Sequence, residues 1–148
     1  MPHDAIGLVF AENESVDPAQ LNDLYTTVGW DNDRRRTDRE TTDMLRTSCY
    51  HIAAHTVDGI LIGFARVCGD PYVVQVLDVI THPDYRRRGI ATRCMGGVLG
   101  HLLASDYVSV TLTDGSTLDG FYHRFGFRPI SPDTPSRVWN RQISENNQ

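Results

Sequence analysis

The chain has 148 residues, 40% hydrophobic, 22% charged and 9% aromatic, the profile of an ordinary folded domain rather than of disorder, collagen or a coiled coil. All 14 basic residues are arginine, which excludes a Schiff base on the chain's own lysine and a lysine-bearing phosphate loop. The net charge of −5 is concentrated in residues 1–48, with ten acidic residues against five arginines, while residues 49–148 hold nine of each; an acidic half favours a cationic small partner over nucleic acid.

A first strand is predicted over Ile6–Ala11. Asp17-Pro18 is a helix start, with Asp as cap and Pro at the first helical position. Leu21, Leu24, Tyr25 and Val28 follow at helical spacing, and Gly29 stops the pattern. Asp31–Glu40 mixes charges densely and reads as an exposed loop leading into a short helix over Thr41–Arg46. Its run Arg34-Arg35-Arg36 could touch an anion, but reads rather as solvated surface, because Asp31, Asp33 and Asp38 are interspersed with it.

Strands over Tyr50–Thr56 and Ile60–Val67 flank Asp58-Gly59, a hairpin signal. Gly69-Asp70-Pro71 turns the chain into a third, Val- and Ile-rich strand over Tyr72–Thr81, which Pro83 stops. The longest helical pattern runs from Gly89 to about Ser105, with Ile90, Cys94, Val98 and Leu102 on one face. Gly96, Gly97 and Gly100 weaken it by ~1 kcal/mol each relative to Ala, tolerable where a sheet packs closely. Val108–Leu112 alternates as a strand. Ser116–Asp119 resembles a capping box opening a helix to about Arg124, Gly126 ends it, and Val138–Ile143 is the last strand. The order βααβββαβαβ, antiparallel first and then a right-handed β-α-β unit, predicts one layered α/β domain over residues 1–148.

Cys49, Cys68 and Cys94 form neither a disulfide framework nor a Cys-x-x-Cys pair, which points to a reducing compartment. The polar start Met1-Pro2-His3-Asp4 lacks a signal-peptide pattern, and no apolar run approaches ~18 residues, so no membrane partner and a cytoplasmic location are expected. His51 and His55 lie four apart on a strand with no third ligand, so no metal is expected.

The informative stretch is Val74–Thr92, in which a strand ends at a proline and an arginine-rich, glycine-containing loop runs directly into the long helix. Amides at a helix start lack internal partners and carry the positive end of the dipole, so they suit phosphate oxygens. Gly89 lets the backbone approach an anion, and Arg86, Arg87 and Arg88 can add charge-assisted hydrogen bonds. Read physically, this is a pyrophosphate cradle.

Arg86-Arg87-Arg88-Gly89-Ile90-Ala91 resembles the Q/R-x-x-G-x-G/A loop of the GCN5-related N-acetyltransferases, the GNAT superfamily. Gly120-Phe121-Tyr122-His123-Arg124-Phe125-Gly126-Phe127 resembles that family's late F-Y-x-x-x-G-F signature. The resemblance implies a single-domain, mixed and mostly antiparallel sheet flanked by helices, with the fourth and fifth strands splayed apart. It implies acetyl-CoA as co-substrate and no metal. Val79, Ile80 and Thr81 would pair with the pantetheine arm, and Arg87–Thr92 (Arg87, Arg88, Gly89, Ile90, Ala91, Thr92) would surround the pyrophosphate, with Arg86 nearby. Tyr122 falls on the family's general-acid tyrosine. Two departures stand out: Gly115 replaces an asparagine common in the family, and Ala91 replaces a glycine.

Asp78 is the candidate general base, because burial in the apolar run Val76–Ile80, costly for a carboxylate unless paired, would raise its pKa; for it and for Asp114 the alternative is a structural role, accepting backbone N–H bonds. Asp114 is the second candidate and an acceptor-site residue. Tyr25, Trp30 and Tyr72 are expected to line the acceptor site, with Asp31 attracting a cation. The acceptor implied is a small primary amine of the arylalkylamine or polyamine type. The alternatives are a protein N-terminus or lysine, or a non-catalytic acyl-CoA sensor; a homodimer is compatible with each. A nucleic-acid partner is not expected. Cys94, early in the long helix, is weighed as an activated thiol against a packed one.

Overall fold

Alternation along the central strands decides the layering. In β2 (Tyr50–Thr56) and β3 (Leu61–Gly69), Ile52, Ala54, Ile62 and Ala65 enter one core, while Ala53, Leu61 and Phe64 enter another on the opposite face. A computed structural model of the chain describes residues 7–115, 120–132 and 134–141. It contains one seven-stranded sheet in the order β1-β2-β3-β4-β5-β7-β6. The remaining strands are β1 (Leu8–Glu12), β4 (Val73–Thr81), β5 (Ser109–Thr113), β6 (Phe127–Pro129) and β7 (Ser136–Trp139). All adjacent pairs are antiparallel except β4 with β5.

Helices α1 (Pro18–Thr27) and α2 (Asp38–Thr47) cover one face, and α3 (Ile90–Leu103) covers the other. The Asp17 side chain caps α1 by accepting from the Ala19 amide at 3.0 Å. The foreseen apolar face of α3 is fully buried: Ile90, Cys94, Val98 and Leu102 are at most 1% exposed. Gly97 meets β2, since an added Cβ would fall 2.8 Å from Ile52 Cδ1 and against the Tyr50 hydroxyl; Gly96 and Gly100 have open space beside them.

Several boundaries differ from the sequence pattern. Strand β1 runs from Leu8 to Glu12 rather than over Ile6–Ala11, and Ile6 lies outside the described residues. Helix α2 begins at Asp38, inside the stretch expected as loop, because Thr37 caps it and accepts from the Glu40 amide at 3.2 Å. Ser116–Asp119 also lie outside the described residues. Beyond them the expected helix is a single 3-10 turn over Tyr122–Phe125, closed in between Gly120 (φ 76°) and Gly126 (φ 97°), both left-handed. A three-residue strand, β6, was not foreseen, being too short for periodicity to register. It pairs with Ser136–Trp139, so the last strand starts before the expected Val138; Ile143 is outside the described residues.

The parallel pair opens early. Val73, Val74 and Gln75 pair with Ser109, Val110 and Thr111, and then the two strands part, leaving the last six residues of β4 without a partner on the β5 side. Nearby, Asp78 adopts φ 57° and the register with β3 shifts by one residue between Arg66↔Leu77 and Phe64↔Ile80. A bulge of this kind reverses the facing of all that follows. Val74 and Val76 lie in the α3-side core, whereas Ile80 lies in the α1/α2-side core.

Candidate active site

The unpaired end of β4 leads through His82 into a 3-10 turn over Pro83–Tyr85 and on to α3. His82 Nδ1 accepts from the Asp84 amide at 3.1 Å and shapes that turn. Arg87 (φ 64°) and Gly89 (φ 75°) are both left-handed, which curls the backbone just before the helix. Gly89 is the N-cap, no side chain caps the helix, and a Cβ there would meet nothing. The first intrahelical bond of α3 runs from the Arg93 amide to Gly89 O at 3.0 Å. The amides of Ile90, Ala91 and Thr92 precede it and carry the positive end of the dipole. Arg86, Arg87 and Arg88 are exposed, and the Arg88 guanidinium lies 5.2 Å from the Tyr85 ring centroid.

The 3-10 turn of Tyr122 docks on this helix start. Arg124 Nη2 donates to Thr92 Oγ1 at 2.7 Å, and its guanidinium lies 5.1 Å from the Phe121 ring centroid and 5.3 Å from that of Phe125. Sequence reasoning missed Arg124, although its place inside the F-Y-x-x-x-G-F resemblance could have flagged it. Tyr122 packs edge-on against Phe121, centroids 4.9 Å apart, and against Phe127 at 6.4 Å. Burial, and then the charge of Asp114, push its phenol up to about 12. Asp114 itself follows the end of β5, 3.7 Å from Arg137 Nη2. Strand ends, helix start and phenol thus gather where β4 and β5 diverge.

On the opposite face of the sheet the bulge delivers Asp78 to Tyr25 and Arg66. Asp78 Oδ2 accepts from the Tyr25 hydroxyl at 2.5 Å and from Arg66 Nε at 2.6 Å. Tyr25 is fully buried; burial and then the Asp78 charge raise its pKa. The Arg36 guanidinium lies flat over the same ring, 3.5 Å from its centroid. Arg66 was not proposed as a site residue from the sequence, and Arg36 was weighed there only as part of the Arg34-Arg35-Arg36 run, between an anion contact and solvated surface. An arginine in an apolar strand, level with a carboxylate in the next, is the signal that could have found Arg66.

The geometry corrects several expectations. Asp78 is paired through one oxygen with a phenol and a guanidinium, so its partners are side chains rather than the backbone N–H groups weighed from the sequence. Tyr25 is fully buried and so lines no open surface; Trp30 is half exposed, its ring centroid 6.4 Å from that of Tyr25. Tyr72 stands just before β4, at the paired end, so the structure does not bring it to the site. Asp31 is buried rather than open to a cation, because it accepts from the Arg35 and Arg36 amides at 2.9 and 3.4 Å and ties its own loop. Of the arginine run, Arg34 pairs with Asp23 on the surface, as expected, but Arg36 is half-buried. Cys94 is a packed thiol, pushed up to about 12 by burial. His51 Nε2 contacts Glu14 O at 2.8 Å, and no group of three metal-ligating side chains occurs among the described residues.

Comparison with known proteins bears on the same region. Residues 30–137 match the family model described as an acetyltransferase (GNAT) domain. A Prochlorococcus marinus relative, an uncharacterized N-acetyltransferase of the ycf52-like type, is 30% identical over 129 residues, covering 84% of this chain and 70% of that protein. Among solved structures, a GNAT family acetyltransferase of Streptococcus pneumoniae superposes with a TM-score of 0.64 at 27% identity, over 82% of this chain and 87% of its own. A Brucella melitensis GNAT acetyltransferase, solved in complex with acetyl-CoA, has a TM-score of 0.62 at 17% identity, over 88% and 86%. No helix among the described residues is long and apolar enough to cross a membrane.

Proposed function

Since the chain belongs to the GNAT family of acetyltransferases, we propose that it is an acetyl-CoA-dependent N-acetyltransferase acting by direct transfer to a small primary amine. The observation that carries this reading is the uncapped start of α3, placed beside the unpaired end of β4. The amides of residues 87–92 hold the diphosphate, and the exposed Arg86, Arg87 and Arg88 neutralise it. Val79, Ile80 and Thr81 offer main-chain groups to the pantetheine arm along the open edge. Bound there, acetyl-CoA supplies an activated acyl thioester.

Tyr122 serves the departing sulfur. A phenol at about 12 is about 3.5 units less acidic than a free thiol of pKa ~8.5, so complete proton transfer to a thiolate runs uphill. Its work is therefore to donate a hydrogen bond while still protonated, and the Asp114 charge helps to keep it so. Asp78, tied to Arg66 and Tyr25, acts as a positioning residue. The acceptor arrives as the neutral amine and its surplus proton passes to water.

The test is calorimetric titration with acetyl-CoA, followed by free-thiol release across a panel of primary amines. Micromolar uptake with turnover of at least one amine is expected. No uptake overturns the reading, whereas tight uptake without turnover of any amine identifies a sensor of acyl-CoA instead.

A further inference from the structure

Among the described residues, Arg36 is a fixed guanidinium with no carboxylate partner. Its main chain is fixed, because the Arg35 and Arg36 amides both bond the buried Asp31 carboxylate. Its side chain is fixed as well, stacked 3.5 Å from the Tyr25 ring centroid, with Met44 Sδ at 3.9 Å as its hydrogen-bond contact. A thioether is a weak acceptor. Among the described residues no carboxylate oxygen lies within 4.0 Å of Arg36, whereas Arg34, Arg46, Arg66 and Arg137 each have one. The other arginines that lack one are exposed, except Arg128 and Arg141, which are half-buried like Arg36 but donate to main-chain carbonyls. Since no buried side-chain nitrogen or oxygen is left unbonded, its remaining N–H donors face open space.

The position of this guanidinium matters. The ring under Arg36 ends in a hydroxyl bonded to Asp78, the bulge residue immediately before Val79. Arg36 is thus one aromatic ring away from the segment assigned to the acyl-carrying arm, on the α1/α2 face, with the half-exposed Trp30 beside the same ring. The Asp78 carboxylate there is already taken by Arg66. A planar fork of donors, preorganised by stacking and unopposed, matches a carboxylate in bidentate geometry.

We infer that the acceptor is a primary amine bearing a carboxylate, of amino-acid size, whose carboxylate is held by Arg36 while its amine reaches the unpaired end of β4. The inference rests on the acetyltransferase reading and narrows its substrate class.

The experiment compares acceptors that differ only in the carboxylate, phenylalanine against phenethylamine and lysine against cadaverine, by kcat/KM from free-thiol release. Wild type favours the acid of each pair, and Arg36→Ala shrinks that preference by ~10–100-fold, mainly through KM, as expected for loss of a charge-assisted contact. Arg36→Lys restores part of it, and the KM for acetyl-CoA does not follow the change. Preference for the decarboxylated partner in wild type, or an equal loss on both members in Arg36→Ala, overturns the inference. Calorimetric binding of phenylalanine to the CoA-loaded protein decides the matter independently of turnover: retention of wild-type affinity in Arg36→Ala also overturns it. Failure to bind acetyl-CoA would instead strike the acetyltransferase reading.

Discussion

The hydroxyl of Tyr25, in the second turn of α1, donates a 2.5 Å hydrogen bond to Oδ2 of Asp78, the bulged residue of β4. Fifty-three residues of sequence separate them. The same oxygen accepts from Arg66 Nε of β3, so one carboxylate ties a helix and two strands together at the level where the sheet begins to open.

That relationship makes Asp78 testable as an anchor. Removing the phenol with Tyr25→Phe should lower stability by ~1.5–3 kcal/mol, the worth of a hydrogen bond to a charged group. Asp78→Asn should cost about 3 kcal/mol, because it leaves the nearly buried Arg66 without its counter-charge. Urea denaturation of both single variants and the double variant should show strong coupling. If Asp78 were instead a general base, Asp78→Asn would abolish kcat while Tyr25→Phe left it intact.

The second prediction concerns pH. Burial and the Asp114 charge push Tyr122 up to about 12. A raised pKa preserves the protonated form to higher pH, so loss of the phenolic proton should not depress kcat below about pH 11. On the acid side, kcat/KM should rise with pH toward the pKa of whichever amine is used. Tyr122→Phe should lower kcat by ~10²–10³, as for loss of one hydrogen-bond donor to developing charge, with coenzyme affinity little changed. A fall in wild-type kcat between pH 8 and 9, absent from Tyr122→Phe, would show that the phenol is far more acidic than its surroundings dictate.

The glycines of α3 should part company. Gly96 and Gly100 have open space beside them, so alanine at either should stabilise the protein by ~1 kcal/mol through helix propensity. Gly97 faces Tyr50 and Ile52, and the Tyr50 hydroxyl is held by Glu12. Gly97→Ala should therefore cost ~1–3 kcal/mol from overpacking. Thermal melts of the three variants check both signs at once.

Gly63 of β3 carries the last prediction. An added Cβ would lie 2.5 Å from Ile90 Cγ2 and 3.2 Å from Ala54 Cβ. Ile90 is the first helical residue of α3, so Gly63→Ala should displace the amides proposed to grip the diphosphate. Overpacking of ~1–3 kcal/mol is expected, along with weaker uptake of CoA in calorimetry. Gly97→Ala, which presses on the middle of the same helix, serves as the control and should weaken CoA uptake far less.

Much of the fold was legible because its cues are local. Asp17-Pro18 sets the start of α1, Asp58-Gly59 the turn between β2 and β3, and Gly89 the start of α3. Each acts through φ preference or capping within a few residues. Among the described residues from Gly120 on, the expected helix is a 3-10 turn over Tyr122–Phe125, because left-handed Gly120 and Gly126 flank it. Strand β6 escaped because its pairing with β7, rather than three residues of pattern, defines it.

The candidate site divides along the same line. By itself the sequence determined the uncapped helix start on which the proposed anion cradle rests, since a strand end, a glycine and a helix start must bring uncapped amides together in any fold that forms them. It could not determine what Asp78 touches. One extra residue in β4 reverses the side-chain facing beyond it, and alternation read along the chain carries no record of an insertion made by the neighbouring strand. Only tertiary packing brought Tyr25, Arg66 and Asp78 together and laid Arg36 over the same ring, because the partners come from four separate segments whose approach is fixed by the sheet between them.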